Sequence, residues 1–212
     1  ESFLYDHSIA SLAMAEAYVL SNKTPILSGT VRKATNYITR ARNPYGAWRY
    51  QVPPIGENDT SVTGWMVFAL KSAEEGGTKI SKETYAGALT WFDEVTDPGT
   101  GRMGYDTIGS LSSRVDGVND DFPADKGEAM TAVGLLCRFF MGQDPKDNPI
   151  MEKHANLLLK RLPEWDPEGK GTDMYYWYYG SYAMFQMGGT HWKNWKKAME
   201  KAILNSQRKD GD

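Results

Sequence analysis

The stretch Val62–Thr63–Gly64–Trp65–Met66–Val67–Phe68–Ala69–Leu70 carries no charge, and every side of its helical wheel is apolar or small. A surface helix keeps a polar face, so a helix of this kind is buried all round. Its flanks are helix signals as well: Asp59–Thr60 offers an N-cap and Gly76–Gly77 a stop. Residues 5–20, 126–141 and 174–187 are built in the same way from Ala, Gly, Ser and aromatics. Each of the four is followed by a more charged segment, at 29–42, 82–95, 149–162 and 191–206. Those carry one apolar stripe at helical spacing: Val31, Ala34, Ile38 and Ala41, then Tyr85, Leu89, Phe92 and Val95, later Trp195, Ala198, Ala202 and Ile203. Ser81, Asp173 and Thr190 are further N-cap candidates, Asn148–Pro149 joins a cap to a first-turn Pro, and Asp125 with Glu128 reads as a capping box. Gly142 and Gly188–Gly189 mark stops. The pattern predicts an all-α fold of four helical hairpins, one helix of each buried and the other half-exposed.

The hairpins also repeat in their loops. Gly46–Ala47–Trp48–Arg49–Tyr50 follows the first, Gly101–Arg102–Met103–Gly104–Tyr105 the second, Gln207–Arg208–Lys209–Asp210–Gly211 the fourth; the third, Pro167–Glu168–Gly169–Lys170–Gly171, is degenerate. Aligning Asp6–His7–Ser8–Ile9 with Asp59–Thr60–Ser61–Val62 gives a first period of 53 residues, which the insertion at 106–124 then disturbs.

At 212 residues the chain is expected to form one domain over 1–212, large enough to fold without a disulfide or metal staple. Its 26 aromatics and 10 Met stand in for scarce aliphatics. A net charge of −3 argues against nucleic-acid and anionic-membrane partners, and no stretch is long and apolar enough to span a bilayer. The single Cys137 excludes an intrachain disulfide and a cysteine-cage zinc site, and leaves the compartment open.

Taken together, Ala34, Tyr37, Ile38, Arg42, Gly46 and Trp48 follow an Ala–aromatic–Gln/Arg–Gly-x-Trp pattern, repeated weakly in Ala198, Leu204, Gln207 and Gly211. In this, and in Asn58–Asp59–Thr60–Ser61–Val62–Thr63–Gly64–Trp65, the chain resembles the squalene–hopene cyclase and protein prenyltransferase β-subunit superfamily. The resemblance covers essentially the whole chain. It implies an α/α toroid with inner helices around a central cavity, outer helices on the rim, and Gly-x-Trp turns tying neighbouring hairpins together. A full toroid has six hairpins and four are legible here, so a partial toroid from a longer chain is expected.

The departures from the family bear on activity. Its cyclases use an Asp-x-Asp-Asp acid motif; the nearest string, Val118–Asn119–Asp120–Asp121, lacks the first Asp. Its prenyltransferases hold zinc with an Asp-x-Cys pair; Leu135 stands at that spacing before Cys137. The thioester string Cys-Gly-Glu-Gln is absent. The reading therefore predicts neither activity, no metal and no cofactor.

Two groups of residues are candidates for chemistry. The block Tyr175–Tyr176–Trp177–Tyr178–Tyr179, with Tyr182, Phe185 and Trp192, can wall a ligand, as can Tyr5 and Trp65. Against this, five consecutive aromatics point all round a helix, so most must be core. Asp6, His7 and Asp59 open two buried helices and can act as acid and base, although N-capping explains both carboxylates. If Tyr5, Asp59 and Met174 start helices at one end of a toroid, that end suits a ligand with a polar head and an apolar or ring-shaped body. His154 and His191 fall on the charged helices and are expected at the surface. Asp116 to Asp121 with Asp125 offer oxygen ligands at calcium-loop density, yet lack the turn Gly and closing Glu, so an acidic surface insertion is expected. No phosphate-cradling loop, zinc-protease or nucleophile-elbow string occurs. Three classes remain: a binder of an apolar or isoprenoid-like ligand, a carbohydrate-active toroid using helix-start carboxylates and an aromatic groove, and a protein-interaction module.

Overall fold

The computed structural model describes residues 3–44, 46–52, 57–110, 122, 127–208 and 210. The acidic insertion, Val118–Asn119–Asp120–Asp121, Asp125 and Gly211 lie outside the described residues. Among the described residues there are eight helices and no strand, only an isolated bridge between Thr96 and Met103. They are α1 (Phe3–Leu20), α2 (Pro25–Arg40), α3 (Thr60–Glu75), α4 (Lys82–Glu94), α5 (Ala129–Phe140), α6 (Pro149–Leu159), α7 (Met174–Met187) and α8 (Gly189–Ser206). Each falls on one of the eight expected segments. The chain divides into two compact units, residues 1–95 with 140–142, and 96–139 with 143–212.

In unit 1, α1 packs on α2 and α3, and α3 packs also on α2 and α4. The expected all-round burial is found in α3, where Val62, Met66, Val67, Ala69, Leu70 and Ala73 are wholly inaccessible. Each large apolar side chain of this kind stabilises the fold by roughly 1.5–3 kcal/mol. The helix opens as read: Asp59 Oδ1 accepts the Val62 N–H at 2.7 Å. Ser81 opens α4 by accepting the Thr84 N–H. α2 begins earlier than expected, because Thr24–Pro25 starts a helix with Pro in its first turn. α1 corrects the reading of its class: Leu4, Ser8, Ser11, Leu12 and Ala15 form one buried stripe, while Leu20 is exposed.

The Gly-x-Trp turn clasps the two hairpins of unit 1. Gly46 has φ +96°, and a Cβ there would lie 2.7 Å from the Gly87 Cα of α4, so two glycines allow backbone to cross backbone. Trp48 is fully buried, and its indole N–H donates to the Ile38 carbonyl of α2 at 2.9 Å. Its backbone N–H donates to Thr63 Oγ1 of α3 at 3.2 Å.

In unit 2, α6, α7 and α8 pack against one another, and Met130 to Arg138 of α5 are buried. The second turn repeats the first. Gly101, at φ +79°, lies so close to α6 that a Cβ would meet Lys153 Cβ at 2.6 Å, and the Met103 N–H donates to Thr131 Oγ1 of α5 at 3.1 Å. Met103 replaces the Trp, and Gly134 leaves space for its thioether. Gly180 does the same for Trp195, which locks α7 to α8. Asp173 caps α7 through the Tyr176 N–H.

Three expectations are corrected in unit 2. His154 is 0% exposed, since it belongs to the stripe Met151, His154, Ala155 and Leu158 that α6 turns inward. Thr190 is no cap: Gly188 and Gly189 both take positive φ, and α8 starts two residues sooner than expected, at Gly189. α6 ends at Leu159, ahead of Pro163, which disfavours helical geometry in the residue before it.

Candidate functional site

Of the sequence candidates in unit 1, Tyr5, Asp6 and His7 stand at the start of α1, which the Leu4 N–H ties to the Tyr50 carbonyl at 3.2 Å. Phe3 and His7 stand one helical turn apart and share a face, with ring centroids 6.0 Å apart. Tyr37 of α2 closes on both, 4.8 Å from His7 and 6.0 Å from Phe3. On the other side of the helix start, Tyr5 stacks on Tyr50 at 6.5 Å and meets Trp65 of α3 edge-on at 6.3 Å. The Trp65 indole N–H donates to the Tyr5 hydroxyl at 2.9 Å. Tyr5 and Trp65, both predicted to line a ligand wall, are thus brought together.

Phe3, Tyr37, Tyr50, Gln51 and Val52 line a cleft of about 510 Å³ beside these rings. Ligand clefts commonly hold about 300–1,000 Å³ with apolar walls and a few polar groups. Phe3 is 55% exposed there, an apolar ring held in water. Phe3, Tyr37, Tyr50 and Gln51 were not among the residues singled out from sequence. The signals were present in the Phe3–His7 spacing and in Tyr37 and Tyr50 of the repeat pattern.

The candidate acid–base residues take separate roles. Asp6 is exposed on α1, whereas Asp59 is wholly buried as the cap of α3. His7 is half-buried in the aromatic cluster, with Nε2 3.4 Å from the Ala34 carbonyl oxygen.

The aromatic block on α7 divides by helix face. Tyr176 and Trp177 are 1% and 2% exposed, while Tyr178 is exposed and Tyr175 lies between. The Tyr176 hydroxyl donates to the Arg161 carbonyl at 2.9 Å, and burial raises its pKa well above the ordinary phenol value. Its ring meets Trp195 edge-on at 5.5 Å. These are contacts of packed core. The outer face is a surface stripe, with Tyr178 and Tyr182 rings 5.2 Å apart and Phe185 against Trp192 at 5.3 Å.

Two polar pairs in unit 2, one buried and one half-buried, fall outside every predicted site. Arg138 Nε donates to His154 Nε2 at 3.2 Å, so the other imidazole nitrogen carries the proton and donates to the Gly101 carbonyl at 2.6 Å. Burial, reinforced by the Arg138 charge, pushes the His154 pKa down to about 3. Arg102 forks onto the Glu128 carboxylate, with its shortest contact 2.6 Å, and Thr131 Oγ1 donates to the same group. Both pairs are built as internal braces around the second turn. Burial raises the pKa of the Cys137 thiol far above its ordinary value, which suppresses the thiolate.

Among the described residues no group of three His, Cys, Asp or Glu side chains is arranged to hold a metal ion. No helix among them is long and apolar enough to cross a membrane. Comparison with protein-family models, curated proteins and solved structures finds no match to this chain.

Proposed function

We propose that this chain is a ligand-binding domain of the terpenoid-cyclase and prenyltransferase toroid class, without the catalytic motifs of those enzymes. One observation carries the reading: a solvent-facing aromatic cleft at the start of α1, with Phe3, Tyr37 and Tyr50 presenting apolar ring surface around about 510 Å³. The repeated Gly-turn clasp, with Trp48 and Met103 each donating to a threonine hydroxyl of the next helix, supports kinship with a hairpin repeat of this kind. An apolar or isoprenoid-like body suits the Phe3 ring and the aliphatic Val52 side chain, with a polar group near the Gln51 amide. That amide is also the feature favouring a second reading, a saccharide stacked on Tyr50. Cleavage by helix-start carboxylates gains no support, because Asp59 is spent as a buried cap.

Titration of tryptophan fluorescence with farnesol and with cellotetraose tests the proposal, since Trp65 is bonded directly to Tyr5 of the cluster. Saturable change with farnesol, lost in Tyr37→Ala, is the expected result. Response to cellotetraose alone selects the saccharide reading. Silence with both removes the binding role.

A further inference from the structure

Unit 2 holds a second cleft, of about 720 Å³, between the end of α6, the segment 160–171 and the start of α7. Lys160, Arg161 and Lys170 line it, with Trp165, a residue that is 40% exposed. Glu164 and Asp166 line it too, yet among the described residues no ion pair joins either carboxylate to the three cations. Asp166 is committed to its own turn: Oδ1 accepts the Glu168 N–H at 2.9 Å, and its backbone N–H donates to Thr172 Oγ1 at 3.1 Å. Arg161 is held in place at both ends. Its guanidinium donates to the Lys160 carbonyl at 3.1 Å, and its own carbonyl accepts the buried Tyr176 hydroxyl at 2.9 Å. Arg161 Nε is buried and makes no hydrogen bond among the described residues. Arg161 is half-buried and lines the cleft, and an anion there can take charge-assisted hydrogen bonds from the accessible part of its guanidinium. Trp165 borders a neighbouring opening as well, lined by Ala198 and Ala202 of α8. An indole bordered by open space on this scale is a stacking platform for a flat ring.

We propose that this cleft binds a small organic anion with a planar ring, of the mononucleotide class. The anionic group sits against Arg161 with Lys160 and Lys170, and the ring lies on Trp165. The site is separate from the α1 cleft and stands or falls independently of it.

Calorimetric titration of the whole chain with adenosine 5′-monophosphate, adenosine and inorganic phosphate tests the proposal. The nucleotide is expected to bind with Kd below about 1 mM and more tightly than either part. Arg161→Gln and Trp165→Ala should each weaken it by about tenfold or more, with circular dichroism unchanged. Should Arg161→Gln fail to fold, Lys170→Gln, on an exposed side chain, carries the same test. Three results overturn the site: no saturable binding up to about 10 mM, affinity for adenosine or phosphate equal to that for the nucleotide, or affinity unmoved by these variants.

Discussion

Gly46 and Trp48 show how much one turn contributes to this fold. The glycine combines a positive φ with a backbone crossing that leaves no space for a methyl group, and the indole fills the space behind it. Trp48→Ala is expected to lower unfolding free energy by about 3–5 kcal/mol, as for a buried aromatic, measured by urea denaturation. Gly46→Ala should also destabilise, because strain and overlap coincide there. Coincident midpoints for parent and Trp48→Ala would remove the clasp. These residues were legible in the sequence because a glycine turn follows both the first and the second hairpin, and Gly46–Ala47–Trp48 is its fullest form.

His154 was illegible for the opposite reason. A histidine on a charged helix looks solvated, and nothing local reveals that the Gly101 turn and Arg138 will close over it. Its burial has a measurable consequence. The folded-state pKa is about 3, against an ordinary value of 6.5, so the unfolded chain binds a proton that the folded chain refuses. Above 6.5 both states are neutral at this residue and stability is unaffected. As pH falls from about 6.5 toward 3, stability should drop by about 1.4 kcal/mol per unit from this group, then level off. His154→Gln keeps an acceptor for Arg138 and a donor for Gly101, and should flatten that slope in chemical denaturation between pH 7 and 4. An identical slope in both proteins would contradict the assignment.

At the scale of the elements, helix identity followed from periodicity and boundaries followed from caps wherever a cap formed. Asp59, Ser81 and Asp173 each accept a backbone N–H three residues on, and α3, α4 and α7 begin where expected. Asn148 makes no such bond. Ser81→Ala and Asp173→Ala should therefore each cost about 0.5–2 kcal/mol in thermal or urea unfolding, with Asn148→Ala costing clearly less. Equal losses at all three would show that the caps do not set these boundaries. The extent of burial was harder to read. α1 and α3 have similarly apolar sequences, yet α3 packs against three neighbours and α1 against two. Composition gives a helix's average polarity; the number of partners decides how many of its faces are covered.

For the whole molecule, the all-α hairpin pattern was written in the alternation of uncharged and charged segments, and the function was not. The predicted aromatic block supplied rings mainly to the core, because Tyr176 and Trp177 lie on the face of α7 that packs. The cleft at the start of α1 draws on Phe3, Tyr37 and Tyr50, which are distant in sequence; the repeat pattern that holds Tyr37 and Tyr50 marks a fold position and no ligand. A site assembled from single aromatics on a helix, its neighbour and a turn becomes visible only when the chain is folded. Ligand binding at that cleft is the central claim, and the tyrosine-ring NMR spectrum titrated with farnesol tests it most directly. Signals of Tyr37 and Tyr50 should move together and saturate while those of the buried Tyr176 and Tyr179 stay fixed. An unmoved spectrum, or shifts spread equally over all four tyrosines, would contradict it.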